Sequence, residues 1–196
     1  CTRDKYLKEL KTTDLPPEKI NKKINKIIKS RYNFTGYQEF ANKINRIINK
    51  FQSQYPKEKS ENLINLEIKK LYSNSVMIID EAHNIKEGSG VKILPPILYR
   101  VLRNADNMKL LLLTATPMFD NPREIVWLIN LLLTNDKRSL LKEDDFFTKS
   151  GAFRKENQDL FVKRITGYIS YMRGEDPIRF PERRYPSLTN ILEPAN

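Results

Sequence analysis

The sequence predicts an α/β fold in which a parallel β-sheet is flanked by helices. Two short apolar runs, Val76–Ile79 and Leu110–Leu113, each end abruptly in polar residues. A segment with helical periodicity, Ile97–Arg103, lies between them. A strand, a crossover helix and a second strand within about 40 residues form a βαβ unit, whose two strands are parallel.

Composition excludes several classes of protein. The 196 residues are 39% hydrophobic, which is enough for a packed core. The longest apolar stretches fall short of the roughly 18 residues that a membrane span needs, so we expect no membrane partner. Cys1 and His83 are the single cysteine and the single histidine. They exclude an internal disulfide framework and a metal site built on several imidazoles, and they favour a reducing compartment.

The positive charge is concentrated in the first part of the chain. The formal net charge is +11, and residues 1–75 carry +9 of it. A positive surface favours polyanionic partners, although a solvated helix face is the preferred interpretation of these lysines over a specific nucleic-acid groove. The chain begins without an initiator Met, so we expect it to be part of a longer polypeptide.

Apolar residues at helical spacing predict three helices in this basic region, the first of which Thr13 or Asp14 could cap. The aromatic segment between the first two helices is predicted to be a short strand. Its aromatic residues, with one from the next helix, could form a base-stacking platform, but packing under the sheet is preferred. The helices are Pro17–Ser30, Gln38–Phe51 and Glu61–Tyr72, the strand is Tyr32–Tyr37, and the aromatic residues are Tyr32, Phe34, Tyr37 and Phe40.

From residue 75 onward the pattern changes. Val76–Ile79 is continuously apolar, as expected for a central strand covered on both faces. After the second strand, Pro122–Leu133 is predicted to be a helix capped by Asn121. Beyond it we expect a short segment, a helix and an extended stretch rich in Arg and Pro, at Lys142–Phe147, Gln158–Ser170 and Arg173–Pro186 respectively.

Polar clusters follow both strands, at the sheet edge where ligands bind in open α/β folds. Asp80-Glu81-Ala82-His83 follows the first strand, and Thr114-Ala115-Thr116 follows the second. Two adjacent carboxylates at a strand end suit the hydrolysis of a metal-bound nucleotide. The first can hold Mg²⁺ through its water shell, and the second can orient or deprotonate the attacking water.

Both clusters also resemble known motifs. VMIIDEAH (Val76–His83) is similar to the Walker B motif, in its DEAH form, of superfamily 2 helicases and translocases. LLTATP (Leu112–Pro117) is similar to their motif III, and Thr114 follows Asp80 by 34 positions. The stretch 114–133 resembles the Swi/Snf-type branch, and Gly167–Pro186 resembles the segment that joins the two lobes of these enzymes. The group encoded by large cytoplasmic DNA viruses, which includes the small subunit of the poxvirus early transcription factor and the poxvirus nucleoside triphosphatase, is the most similar.

This resemblance implies a RecA-like P-loop NTPase lobe whose N-terminal part is missing. Residues 1–135 would be the remainder of the first ATP-binding lobe, with a basic helical region at 14–72 and the motif region at 75–135. Residues 136–196 would be a helical extension and a linker toward the second lobe. The implied cofactors are ATP and Mg²⁺. The implied partners are nucleic acid, with duplex DNA favoured and RNA possible, and RNA polymerase or other transcription subunits. The implied location is the virion and the host cytoplasm.

The resemblance also assigns roles to individual residues. Asp80 would coordinate Mg²⁺ through water, and Glu81 would be the general base. His83, Thr114 and Thr116 would couple hydrolysis to movement. Four arginines of the C-terminal stretch could contact phosphates, or could belong to a solvated linker or dock on the second lobe: Arg173, Arg179, Arg183 and Arg184.

Each of these residues also has a purely structural interpretation. Asp80 and Glu81 could mark a plain helix N-terminus, and His83 and the two threonines could be structural. The sequence contains no GxxxxGK[ST] phosphate-binding loop, so we expect the chain alone not to hydrolyse ATP. The parent would be an ATP-dependent helicase or translocase in viral transcription. The alternatives are a non-hydrolysing nucleic-acid-binding or scaffold module of a transcription or packaging complex, and an RNA helicase.

Overall fold

The computed structural model of the chain describes residues 16–85, 94–118 and 121–171. Its internal contacts divide the chain into two units, Cys1–Leu141 and Lys142–Asn196. The predicted domain boundary after residue 135 stays a prediction. Among the described residues, no helix combines the length and the apolar character that a membrane crossing requires.

Three helices precede the sheet, as predicted: α1 (Pro17–Arg31), α2 (Tyr37–Gln54) and α3 (Lys57–Tyr72). Helix α1 opens with a proline, whose fixed φ suits the first turn of a helix. Helix α3 begins four residues earlier than its apolar periodicity indicates, directly after Pro56. The proposed caps of α1 at residues 13 and 14 lie outside the described residues.

The predicted strand at Tyr32–Tyr37 is wrong. Residues 32–36 have no regular structure, and Tyr37 is already the first residue of α2. Tyr32 and Phe34 are 48% and 76% exposed, so the preferred interpretation that they pack under the sheet is also wrong. Their rings stack on each other instead, with centroids 6.1 Å apart. An aromatic, alternating segment has strand propensity, but a strand also needs a neighbour to pair its backbone. The two described strands of the sheet pair only with each other.

The sheet consists of two parallel strands, β1 (Val76–Ile79) and β2 (Lys109–Leu112), in the described part of the chain. Their register pairs Val76 with Lys109 and Ile79 with Leu112. Strand β2 begins and ends one residue earlier than predicted. Helix α4 (Leu94–Asn104) connects the strands and is longer at its start than the predicted segment.

The core of the first unit lies between α2, α3, α4, the helix that follows β2 and one face of the sheet. Isoleucines of α2 and α3 are fully buried there against aliphatic residues of α4. The sheet residues that pack on this core are Met77, Ile79, Leu110 and Leu112. Burial of these apolar groups is the main favourable contribution to folding of this unit.

The opposite face of the sheet is exposed, which corrects the prediction that β1 is covered on both faces. Val76 is 67% and Ile78 is 56% exposed, and the neighbouring Leu111 and Leu113 are 48% and 42% exposed. The apolar run fits a strand with layers on two sides. In the part of the chain that the structure describes, the helices that pack against these strands lie on the side of Ile79, which explains the difference.

Helix α5 (Glu124–Asn135) follows β2 and starts two residues later than predicted. Asn121, the predicted cap, therefore does not occupy the N-cap position of the helix, which is Arg123. The side-chain Oδ1 of Asn121 accepts a hydrogen bond from the backbone N–H of Arg123 at 2.9 Å, which closes a turn before the helix. Later in α5, the side chain of Asn130 both donates to and accepts from the backbone of Leu141.

Polar contacts of Arg100 and Lys137 connect α4 to other parts of the first unit. The Arg100 guanidinium donates to a carboxylate oxygen of Glu61 at 2.7 Å and to Asn65 Oδ1, and so connects α4 to α3. The Lys137 ammonium donates to three backbone carbonyls at the end of α4, those of residues 102, 103 and 105, at 2.6–3.1 Å. A cation at this position also interacts favourably with the helix dipole.

The second unit is organised around aromatic rings. It contains the one-turn helix α6 (Glu143–Phe146) and the helix α7 (Gln158–Ile165). Helix α7 ends five residues earlier than predicted, because Thr166 leaves the helical conformation and Gly167 has a φ of +89°. Four phenylalanines contact each other with ring centroids 5.0–6.4 Å apart: Phe146, Phe147, Phe153 and Phe161. The predicted extended stretch from Arg173 onward lies outside the described residues.

Candidate functional site

The two carboxylates that follow β1 lie in a tight turn. Glu81 has a φ of +50°, a left-handed conformation that costs a non-glycine residue about 1–3 kcal/mol. The side chain of Asp80 accepts a hydrogen bond from the backbone N–H of Glu81 at 3.0 Å. Such strain persists only where surrounding contacts fix the backbone, and it is common at functional sites.

Backbone hydrogen bonds fix this turn to the end of β2. The N–H of Leu113 donates to the carbonyl of Ile79 at 2.8 Å, and the N–H of Ala82 donates to the carbonyl of Leu113 at 2.9 Å. A short 3₁₀ turn, Ala82–Ile85, follows. Asp80 and Glu81 thus precede a 3₁₀ helix, and the alternative that they mark a plain helix N-terminus stays untested. The hydrogen-bond ladder between the strands therefore continues into the polar cluster.

His83 joins the two polar clusters. Its Nδ1 lies 3.0 Å from the hydroxyl of Thr114 and 3.3 Å from a carboxylate oxygen of Glu81. The Thr114 hydroxyl also accepts a hydrogen bond from the backbone N–H of Thr116 at 3.1 Å. The structure thus brings together four of the predicted residues, and Asp80 is adjacent in sequence. Their roles stay predictions.

Tyr37 is a member of this site that sequence reasoning missed. Its hydroxyl donates to the backbone carbonyl of Asp80 and lies 3.2 Å from that of Glu81. Burial raises the pKa of the Tyr37 hydroxyl, and the negative charges of Asp80 and Glu81 raise it further, so the hydroxyl keeps its proton. The contact spans 43 residues, and no local pattern could have revealed it.

Both carboxylates face solvent, as a site for a hydrated cation requires. Asp80 is exposed, and the side chain of Glu81 is 58% exposed. No cluster of three or more His, Cys, Asp or Glu side chains suited to a metal occurs in the described ranges. Mg²⁺ usually keeps several waters and needs only one or two carboxylates, so the donor set fits Mg²⁺ and suits no closed transition-metal site.

Helix α1 carries the densest run of lysines in the described part of the basic region. Five exposed lysines lie on one side of it, because most of their positions differ by three, four or seven residues: Lys19, Lys22, Lys23, Lys26 and Lys29. The isoleucines of α1 lie on the other side of the helix, and Ile24 is 5% exposed. The four arginines predicted to contact phosphates, at 173, 179, 183 and 184, lie outside the described residues.

Comparison with known proteins identifies the family. Residues 2–119 match the family described as type III restriction enzyme, res subunit, and this match includes both strands and both polar clusters. The chain belongs to this family. The family match and the helicase relatives together show that the chain is similar to superfamily 2 helicases. The fold described above is consistent with a RecA-like helicase domain.

Named relatives are mostly viral. A putative ATP-dependent RNA helicase of Acanthamoeba polyphaga mimivirus is 31% identical over 93% of this chain and 30% of its own length. A putative helicase of Invertebrate iridescent virus 3 is 31% identical over 89% of this chain and 15% of its own length. The ISWI chromatin-remodeling complex ATPase of Saccharomyces cerevisiae is 35% identical over 45% of this chain and 7% of its own length.

The chain therefore spans less than a third of the length of each of these relatives. No solved structure matches it significantly.

Proposed function

We propose that this chain forms part of an ATP-dependent nucleic-acid helicase or translocase of superfamily 2. The observation that carries the proposal is the hydrogen bond between His83 and Thr114, which joins a carboxylate pair after one strand to a Thr-Ala-Thr segment after its neighbour. A motor needs such a connection between the place of hydrolysis and a second element that can respond to it. The names of the relatives support the same function.

The two carboxylates have separate roles in this proposal. Mg²⁺, when bound with ATP, neutralises charge that develops on the phosphates. The exposed Asp80 holds the ion through water, and Glu81 accepts the proton of the attacking water.

The coupling role belongs to His83, Thr114 and Thr116. His83 Nδ1 lies within hydrogen-bonding distance of both the Glu81 carboxylate and the Thr114 hydroxyl. A change in the charge or the contacts of Glu81 therefore alters the partner available to Thr114. Because Thr114 also accepts a hydrogen bond from the backbone of Thr116, the change reaches the segment after β2.

Duplex DNA is the favoured track, within viral transcription. The likeness of segment 114–133 to the Swi/Snf branch and the similarity to the ISWI ATPase support it. The proposal includes the DEAH form of the first motif and a relation to the poxvirus transcription factor. It also includes RNA polymerase subunits as partners, and the virion and host cytoplasm as the location. The mimivirus relative is named an RNA helicase, which supports RNA as the second candidate track.

The deciding experiment measures ATP hydrolysis by the longer polypeptide that we propose contains this chain. Parallel reactions contain no nucleic acid, single-stranded DNA, duplex DNA or RNA. Strong stimulation by duplex DNA supports the proposal, and stimulation by RNA alone selects the RNA helicase. A folded protein that binds nucleic acid and never hydrolyses ATP would instead be the non-hydrolysing module.

The catalytic assignment is tested by Glu81→Gln in the same polypeptide. Loss of a general base lowers turnover by about 100- to 10,000-fold, while ATP binding is retained. Glu58→Gln is a matched control, because Glu58 is exposed on α3 and takes no part in the site. Near-normal turnover of the Glu81 variant would exclude Glu81 as the base.

The exposed lysines of α1 give the proposal a nucleic-acid contact that can be tested separately. Each phosphate contact contributes about one unit to the slope of log affinity against log salt concentration. Replacing Lys22 and Lys26 with Gln should therefore reduce that slope by about two. An unchanged slope would mean that these lysines form a solvated helix face, and the nucleic acid would bind elsewhere.

A further inference from the structure

We propose that Tyr37 is a positioning residue, whose hydroxyl holds the Asp80–Glu81 turn so that the two carboxylates keep fixed places at the end of β1. The structural part of this inference depends only on the geometry of the turn. The kinetic part rests on the proposed ATPase function. The two parts are tested by different measurements.

The backbone carbonyls of the Asp80–Glu81 turn are placed so that one hydrogen-bond donor can reach both of them. In an extended strand, successive carbonyl groups point to opposite sides. Here the left-handed conformation of Glu81 brings two successive carbonyls, those of Asp80 and Glu81, to the same tyrosine hydroxyl. One O–H group therefore interacts with the backbone of both carboxylate residues, and it does so from α2, outside the strand and its turn.

Tyr37 is itself held firmly. It is the first residue of α2, and its ring packs against the hydrophobic core of the first unit. The side chain thus transmits the position of the helix to the turn.

The contact also separates Tyr37 from the other exposed aromatic residues of its segment. Tyr32 and Phe34 present their rings to solvent, whereas Tyr37 is half-buried and its hydroxyl is engaged with the backbone of the site. Tyr37 is therefore a poor candidate for base stacking. Its hydroxyl, and not its ring face, carries the inferred role.

The structural test is hydrogen exchange on this chain with Tyr37→Phe. This change removes the hydroxyl and keeps the ring, so the core packing persists. We expect exchange of the Glu81 and Ala82 amides to become about tenfold faster, in line with the loss of one hydrogen bond. Tyr55→Phe is the matched control, because Tyr55 contacts Phe51 and Lys59 through its ring only. Equal exchange in the two variants would overturn the inference.

The kinetic test uses the longer polypeptide with the same two variants. We expect Tyr37→Phe to lower kcat about tenfold while the KM for ATP stays close to that of Tyr55→Phe. A lower thermal midpoint with an unchanged kcat would show a merely structural tyrosine and would overturn the positioning role. If the unmodified polypeptide has no ATPase activity, the proposed function fails, and hydrogen exchange still decides whether Tyr37 holds the turn.

Discussion

The hydrogen bond between His83 and Thr114 makes a quantitative prediction about how the two strand ends depend on each other. Thr114→Val keeps the shape of the side chain and removes the hydroxyl, which meets His83 Nδ1 at 3.0 Å and the Thr116 N–H at 3.1 Å. Each hydrogen bond contributes about 0.5–1.5 kcal/mol to the free energy of unfolding. The side chain of His83 is 26% exposed, so water replaces part of the loss. We expect Thr114→Val to lower the free energy of unfolding by about 1–2 kcal/mol.

A double-mutant cycle with His83→Phe isolates the pairwise contribution. The Glu81 carboxylate lies 3.3 Å from the same histidine nitrogen and offers it a second partner once the threonine hydroxyl is gone. This compensation places the coupling free energy at the low end of its range, about 0.5–1 kcal/mol.

The assay is urea unfolding followed by the fluorescence of Trp127, the single tryptophan, which packs against the core of the first unit. Thr116→Val serves as the control, because His83 bonds to the hydroxyl of Thr114 and not to that of Thr116. A coupling free energy below about 0.3 kcal/mol, within the error of additivity, would refute the side-chain connection between His83 and Thr114.

Three further predictions concern stability. Ile64→Ala should lower the free energy of unfolding by about 2–5 kcal/mol because Ile64 is fully buried, and a loss below 1 kcal/mol in urea titrations would contradict the described core. Lys137→Ala should cost about 1–2 kcal/mol through its lost hydrogen bonds, and Lys137→Gly about 1 kcal/mol less, because glycine adopts the φ of +57° without strain. The hydrogen bond from Lys69 lowers the pKa of Asp106 below its ordinary 3.8. The ionised Asp106 therefore stabilises the folded chain fully above the ordinary pKa, and this stabilisation is lost as the pH falls through the lowered pKa. Asp106→Asn should remove it, so the thermal midpoint of the variant should depend less on pH between about pH 5 and pH 2.

Local patterns were sufficient to predict the elements that position the site. The apolar runs at 76–79 and 110–113 predict both strands to within one residue, because strands of this kind need little more than continuous apolar character. The closeness of His83 and Thr114 follows from the same prediction, since the carboxyl ends of neighbouring parallel strands lie at one edge of a sheet. Helix starts were less accurate, as α5 shows, because prolines and turns shift them.

Features that depend on distant parts of the chain were not predictable. The apolar character of Val76 and Ile78 indicates a covered face, but it says nothing about which layer covers it. The contact of Tyr37 with the Asp80–Glu81 turn and the capping of α4 by Lys137 join residues more than 30 positions apart. Periodicity cannot report such contacts. The aromatic segment at 32–36 shows the reverse case, in which a strong local preference for a strand is not realised.

The exposed face of the sheet has a consequence for handling this chain in solution. Four large aliphatic side chains stand side by side on β1 and at the end of β2: Val76, Ile78, Leu111 and Leu113. Contiguous apolar surface of this kind favours association, whereas a net charge of +11 keeps molecules apart. Salt at about 0.1 M confines that repulsion to about 10 Å. The chain should therefore remain monodisperse in dilute buffer and associate as the ionic strength rises.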